Sequence, residues 1–299
     1  MRLLTFTHNG ATRTGALRDD KIVDLNATDS EVPADMLALL QGGDAVMARA
    51  HAAAESGEAA LALTEVKLES PILMPPKILA IGLNYLAHFE EIPDEIKQKR
   101  GLKLPTVPWI FNKQNTSANG PYDPIMLPPE SPQLDYEGEL GVIIGKSARR
   151  VSKEKAFDVV AGYTVLNDVT IRDWQRATPT MTMGKSWDSH CPMGPVIVTK
   201  DEISGPPALN VRVTVDGEEK QNFNTEDMLF DIPTAIEHLS TAFTLHPGDV
   251  IASGTSAGVA LFRPGQPWLQ EGQVVRVEID EIGHLENTVV KDDGESFIR

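Results

Sequence analysis

The amino-acid sequence predicts an α+β, β-rich fold: a small N-terminal α+β unit over residues 1–70 and a larger, strand-dominated domain over residues 71–299. Three observations carry this expectation. Short apolar runs bounded by Gly, Pro and Asp recur from about residue 71 onward. An Ala- and Leu-rich helical texture is concentrated before that point. The prolines Pro71, Pro75 and Pro76 of SPILMPPKILAIG stand between the two textures.

Taken in order, MRLLTF, TRTGALR and DKIVDL read as an antiparallel meander, with turns at Asn9-Gly10 and Asp19-Asp20. The stretch ADMLALLQGGDAVMARAHAAAESGEAALAL reads as two helices broken at Gly42-Gly43. Beyond it, KILAIGLNY, PWIFNKQ, ELGVIIGKS, DVVAGYTVLNDV, GPVIVTK, LNVRVTVDG, GDVIASG and QVVRVEIDEIG read as strands. Helical pieces fall at HFEEIPDEIKQKRG, SKEKAFDVV and MLFDIPTAIEHLSTAF. Many short strands with few helices suggest a curled sheet domain.

Charge narrows the function classes. The 299 residues carry 27 Lys and Arg against 43 Asp and Glu, a net charge of −16. That balance disfavours nucleic acid, whose phosphates need clustered cations, and it disfavours anionic membrane surfaces. An anionic small molecule stays possible, because a site can hold local positive charge inside an acidic protein. Cys191 is the single cysteine, so a disulfide framework and a multi-cysteine metal site are excluded. No signal-like segment opens the chain and no apolar run reaches membrane-spanning length. A reducing, cytoplasmic setting is the expectation.

The segment Asp135-Tyr-Glu-Gly-Glu-Leu-Gly-Val-Ile-Ile-Gly145 is the most informative. On a strand, Glu137 and Glu139 share a face, with Cα atoms about 6–7 Å apart. Paired like charges on an apolar strand are costly unless neutralised, and a hard divalent cation does so. The competing reading is a solvated edge-strand face. Asp168, at the end of the apolar run AGYTVLND, is a third carboxylate that tips the balance toward a metal site, although its position also suits a helix N-cap. Arg172 and Gln175 follow Asp168 at spacings that share one helical face. His88 and Glu91, three apart at a strand-to-helix junction, form a pair in which the carboxylate orients the imidazole as a general base; a surface pair is the alternative. Lys185 lies in the Gly- and Pro-bounded loop MGKSWDSHCPMGP and could meet an anionic substrate. Neither Gly-Lys-Ser is a phosphate loop, since Leu140 and Pro179 stand where the upstream glycine is needed. The strand end Ser253-Gly254-Thr255 opens a small-residue loop that lets backbone N–H groups and a hydroxyl approach a carboxylate.

In this order, GLNYLAHFEE, DYEGELGVIIG, VLNDVTIRDWQ with GKSWDSHCPMGP, and GDVIASGTSAGV resemble the fumarylacetoacetate hydrolase superfamily over about residues 71–290. The resemblance implies a C-terminal β-roll, a variable N-terminal domain of the longer bacterial members, and a homodimer. It implies that Glu137, Glu139 and Asp168 hold one Mg²⁺ or Mn²⁺. It implies that His88 and Glu91 activate water on a lid segment at 86–104, and that Lys185 lies near a substrate oxyanion. Arg172, Gln175, Thr255, Lys113 and Tyr85 are implied to face the substrate. Ser256 stands where many relatives have Pro.

The implied activity is metal-dependent hydrolysis of a carbon–carbon bond in a 2,4-diketo acid (an acylpyruvate), giving pyruvate and a carboxylic acid. The alternative keeps the 2-oxo acid and the metal but changes the outcome: oxaloacetate decarboxylation, or isomerisation or hydration of an unsaturated 2-oxo diacid. A binding protein that kept the fold is the rival from another class.

Overall fold

A computed structural model describes residues 1–203, 206–296 and 298. The fold is α+β and dominated by sheet. The largest sheet has 12 strands; its path runs Ala59–Ala62, Lys21–Asp24, Ala11–Arg18, Arg2–His8, Cys191–Thr199, Val160–Asn167, Gly138–Ile144, Val250–Ala252, Ile78–Gly82 and Trp109–Lys113, with Lys67–Leu68 paired to Arg2–His8 and Ala118–Asn119 to Cys191–Thr199 off this path. The N-terminal meander forms as expected, and its first strand is hydrogen-bonded into this sheet, with Arg2 opposite Val198 and Leu3 opposite Ile197. A second sheet of 5 strands runs Glu218–Asn224, Asn210–Val215, Val274–Ile279, Gly283–Lys291 and Ile125–Leu127.

The strand Gly138–Ile144 lies at the centre, and every residue in it is buried. Its Leu140, Val142 and Ile144 pack in one core with Val211, Val213 and Val277 of the second sheet. Its Ile143 belongs to a second core with Leu166, Ile197, Leu39, Leu40 and Ala50, so the N-terminal helices cover the opposite side. A strand covered on both faces needs apolar residues at successive positions, which is what LGVII supplies. The solvated-edge reading of Glu137 and Glu139 therefore fails.

The expected helix break occurs at Gly42-Gly43. One helix spans Met36–Gln41, capped by the Asp35 side chain accepting from the Ala38 N–H, and the next spans Gly43–Ser56. MLFDIPTAIEHLSTAF yields the helix Ile232–Ala242, capped by Asp231 with Pro233 in its first turn. SKEKAFDVV forms a 3₁₀ segment, Lys153–Val159, rather than an α-helix. Ala59–Ala62, at the end of the stretch read as helical, is a strand instead, because it pairs with Lys21–Asp24. Strands without a counterpart in the sequence pattern include Glu218–Asn224 and Gly283–Lys291. The first, EEKQNFN, is almost wholly polar and has little intrinsic strand preference; pairing with Asn210–Val215 imposes its conformation.

Gly138 sits where the sheets meet most closely. A Cβ there would lie 2.4 Å from Val213 Cγ2 and 3.1 Å from Val277 Cγ1. Gly138→Val should therefore cost about 1–3 kcal/mol through overpacking, read as a lower urea midpoint. His190 is fully buried, and its Nε2 lies 2.7 Å from the Met126 carbonyl. Burial pushes its pKa down to about 3. The unfolded chain takes up this proton near pH 6.5, whereas the folded chain refuses it until about pH 3. Stability from this group is thus complete above pH 6.5 and is lost as pH falls toward 3. His190→Gln, which keeps a donor for Met126, should flatten the acid side of the stability profile in that window.

Candidate active site

The site forms where Gly138–Ile144, Val160–Asn167 and Val250–Ala252 end side by side. Register brings the acids together: Gly138 pairs with Asn167, so Glu137 and Asp168 lie next to each other just beyond the ladder, and the Asp168 N–H donates to the Glu137 carbonyl at 2.8 Å. Glu137, Glu139 and Asp168 are all buried, and each offers an oxygen within 4.8 Å of the others'. The donors are hard carboxylate oxygens with no sulfur or imidazole among them. That set fits a small divalent cation such as Mg²⁺ or Mn²⁺.

Cations already balance part of this charge. Lys185 Nζ donates to Glu137 Oε2 at 2.5 Å and to Asp168 Oδ2 at 2.6 Å. Lys113 Nζ donates to Asp168 Oδ1 at 2.7 Å and also to the Lys185 carbonyl. Arg172 places Nη2 2.6 Å from Glu137 Oε1 and donates from Nε to Asp135 Oδ2 at 2.7 Å. Burial raises the Glu137 pKa, but Lys185 and Arg172 overcome it and hold the carboxyl well below its usual range. Glu139 is the opposite case. Burial, then the charges of Asp168 and Glu137, push it well above the carboxylate range, against Lys185 and a 2.7 Å hydrogen bond from the Gly254 N–H. For Lys185, burial favours loss of its proton, yet Asp168 and Glu137 outweigh burial and raise its pKa.

His88 and Glu91 form the expected pair, with His88 Nδ1 2.6 Å from Glu91 Oε1. Glu91 is fixed in turn by the Gly258 N–H, which donates to its Oε2 at 2.8 Å. With Nδ1–H directed at the carboxylate, Nε2 is left as the basic nitrogen. Both residues come from the turn and short helix Leu86–Glu90 that follow Ile78–Gly82.

A cavity of about 720 Å³ opens above the acids, and its wall includes His88, Glu137, Glu139, Arg172, Gln175, Lys185 and Thr255. Arg172 Nη1 donates to Gln175 Oε1 at 3.1 Å, so these two residues face the cavity as a unit. Glu91 and Asp168 stand behind the wall, touching it through His88 and Lys185. Lys113 and Tyr85 are also behind it. Lys113 is buried against Asp168, and Tyr85 packs edge-on to Phe223 at 4.9 Å.

Several residues that order the site drew no attention in the sequence. Asp135 accepts from Ala260 and Leu261 N–H groups at 2.8 and 3.0 Å besides holding Arg172. Its signal was its place in the acidic segment. Gln221 accepts from the Gly138 N–H at 3.0 Å and donates to Thr255 Oγ1 at 2.8 Å. Thr255 in turn donates to the Gly138 carbonyl at 2.9 Å. Asn84 donates to the Ser253 carbonyl at 2.7 Å, anchoring the loop whose Gly254 has φ +99°. Gln221 lies in the polar run EEKQNFN, where no pattern marks it.

Comparison with known proteins identifies the family. Residues 77–290 match the family described as fumarylacetoacetate (FAA) hydrolase C-terminal. Over 296 residues the chain is 40% identical to the mitochondrial oxaloacetate tautomerase fahd2 of Xenopus laevis, covering 97% of this chain and 90% of that protein. It is 39% identical over 287 residues to the oxaloacetate tautomerase YisK of Bacillus subtilis strain 168, covering 91% and 93% of the two chains. Maleylpyruvate hydrolase from Sphingobium sp. SYK-6, solved with manganese(II) and pyruvate, superposes with a TM-score of 0.80 at 32% identity, covering 98% of this chain and 100% of that one. The protein belongs to the fumarylacetoacetate hydrolase family. Its relatives include tautomerases and hydrolases, and its three buried carboxylates lie close enough together to suit a divalent cation.

Glu139→Gln removes one carboxylate from the cluster while keeping its shape. Mn²⁺ affinity, measured by calorimetry, should fall by more than the roughly 10–100-fold that loss of a ligand's supporting partner costs. The melting temperature of the metal-free protein should hold or rise, because burial and the neighbouring charges already favour the uncharged carboxyl that glutamine mimics. Unchanged Mn²⁺ affinity would contradict the assigned ligand.

Proposed function

We propose that this protein is a metal-dependent enzyme that interconverts the keto and enol forms of oxaloacetate or a closely similar 2-oxo diacid. The observation that carries this reading is a basic imidazole and two cations facing one cavity beside a cluster of hard oxygen ligands. Similarity to two oxaloacetate tautomerases, at 40% and 39% identity over most of the chain, favours this outcome over acylpyruvate hydrolysis.

Glu137, Glu139 and Asp168 would hold Mg²⁺ or Mn²⁺. When bound, the ion supplies Lewis acidity toward the oxygens of a 2-oxo acid. The residues of the chain do the rest. His88, oriented by Glu91, takes a proton from the carbon next to the carbonyl through Nε2. Negative charge then develops on the carbonyl oxygen, and Lys185 and Arg172 face it as fixed cations. The protonated His88 returns its proton to that oxygen, which completes the enol. Loss of one proton from carbon and gain of one on oxygen balance the step. Thr255 and Gln175 orient the acid by hydrogen bonding, and the apolar Ile92, Phe111 and Phe262 restrict water.

Hydrolysis is the second reading. The Glu91-anchored histidine could equally activate water, and the similarity to a maleylpyruvate hydrolase supports that use. Pyruvate and acetate formed from acetylpyruvate would favour hydrolysis over tautomerisation. A homodimer belongs to the same proposal; the exposed neighbours Leu73 and Met74 support it by leaving an apolar surface to cover, and light scattering tests it.

With Mg²⁺ present, the parent protein should accelerate the decay of the enol absorbance of oxaloacetate. His88→Ala should cost on the order of 10²–10⁴ in that rate while leaving Mn²⁺ affinity unchanged. Equal rates for the variant and the parent would remove His88 as the base.

A further inference from the structure

The charge lining the cavity is unlike the charge of the chain. The protein has a net charge of −16, yet Glu137 and Glu139 are the carboxylates on the cavity wall among the described residues, against Lys185, Arg172, Arg100, Arg176 and Arg263. Three of these cations are already engaged. Lys185 and Arg172 neutralise the buried acids. Arg263 donates to the Gly258 carbonyl at 2.8 Å and to the Lys220 carbonyl.

Arg100 and Arg176 are different. Neither has a carboxylate partner among the described residues. Arg176 donates from Nη2 to Gln133 Oε1 at 2.6 Å, which leaves its other N–H groups available. Partial burial, then the nearby charge of Arg100, lower its pKa from the ordinary arginine value, as expected for two cations sharing one patch without an anion. Both side chains are exposed whereas the carboxylate cluster is buried, so they mark the solvent end of the same cavity. Ile92, Ile96, Leu102 and Trp109 give that wall apolar surface. The cavity thus offers metal-ligating acids and cations at its floor and a second pair of cations at its rim. Arg100 ends the helix Asp94–Arg100, stopped by Gly101 at φ 60°, and Arg176 lies on the helix Arg172–Ala177.

We propose that Arg100 and Arg176 form a second anion subsite that receives the carboxylate of the substrate remote from its 2-oxo acid end. They would thereby select 2-oxo diacids over 2-oxo monoacids. The inference rests on the 2-oxo acid reading of the cavity. Arginine suits the role because its planar fork meets a carboxylate with two hydrogen bonds.

The test compares two ligands of equal carbon number, oxaloacetate and 2-oxobutyrate, titrated into the Mg²⁺-loaded protein by calorimetry. The parent should bind the diacid more tightly. In the double variant Arg100→Gln, Arg176→Gln the ratio of the two affinities should collapse by about 10–100-fold, the size of one or two charge-assisted hydrogen bonds. Binding of 2-oxobutyrate should persist, which shows that the variant is folded. Arg100→Lys, Arg176→Lys should recover part of the preference. A parent that does not prefer the diacid, or a variant ratio equal to the parent's, would overturn the subsite. Turnover of oxaloacetate by the parent is scored separately. Absent turnover with an arginine-dependent preference overturns tautomerisation and supports the subsite; turnover with an arginine-independent preference does the reverse.

Discussion

Three carboxylates buried within 4.8 Å of one another repel strongly in a medium that screens little, and the site is organised around that repulsion. Lys185 bridges two of them, Arg172 holds the third side of Glu137, and Lys113 backs Asp168. Breaking a buried ion pair by removing one partner is far more costly than never building it, so these cations are as much a part of the fold as the apolar core. The balance remains incomplete at Glu139. Its partner is a backbone N–H rather than a side-chain cation, so a further positive charge is favoured beside it.

The backbone makes this arrangement possible. Gly138, between the two glutamates, lets the second sheet approach closely, and its N–H and C=O are both claimed by polar groups across the gap, Gln221 and Thr255. Asn167 accepts from the Glu137 N–H at 3.0 Å, tying the strand that delivers the glutamates to the one that delivers Asp168. Asp135 joins Arg172 to the 258–262 turn, which also fixes Glu91 and hence His88. Acid cluster, cations and base are thus linked through a few buried polar residues. Of the rim arginines, Arg176 reaches this network through the Gln133 side chain, whose backbone carbonyl accepts from the Arg172 N–H.

Much of this was legible in the sequence, for identifiable reasons. Period-two and apolar runs mark central strands because burial on both faces leaves no polar position, as in LGVII. The acid pair was legible because two glutamates on an apolar strand demand an explanation, and His88 with Glu91 because helical spacing places them together. Polar strands and long-range polar ties were not legible. Glu218–Asn224 is a strand because Asn210–Val215 pairs with it, and Gln221 matters because of where Gly138 and Thr255 lie, 83 and 34 residues away in sequence. Such information is held in the tertiary arrangement rather than in any local pattern. Lys113 shows the same limit: the resemblance implied a wall residue, and the fold places it against Asp168 behind the wall. The motifs that carry the family likeness are the segments that supply Glu137, Glu139, Asp168 and His88, whereas no local motif distinguishes one reaction of the family from another.

The central claim is that Glu137, Glu139 and Asp168 converge on one hard cation. A crystal of the protein grown with Mn²⁺ and examined by anomalous scattering at the manganese edge tests it most directly. The account predicts a single strong peak bonded to oxygens of all three side chains. A map in which manganese lies elsewhere, or in which these carboxylates stay closed on Lys185 with no peak between them, would contradict it.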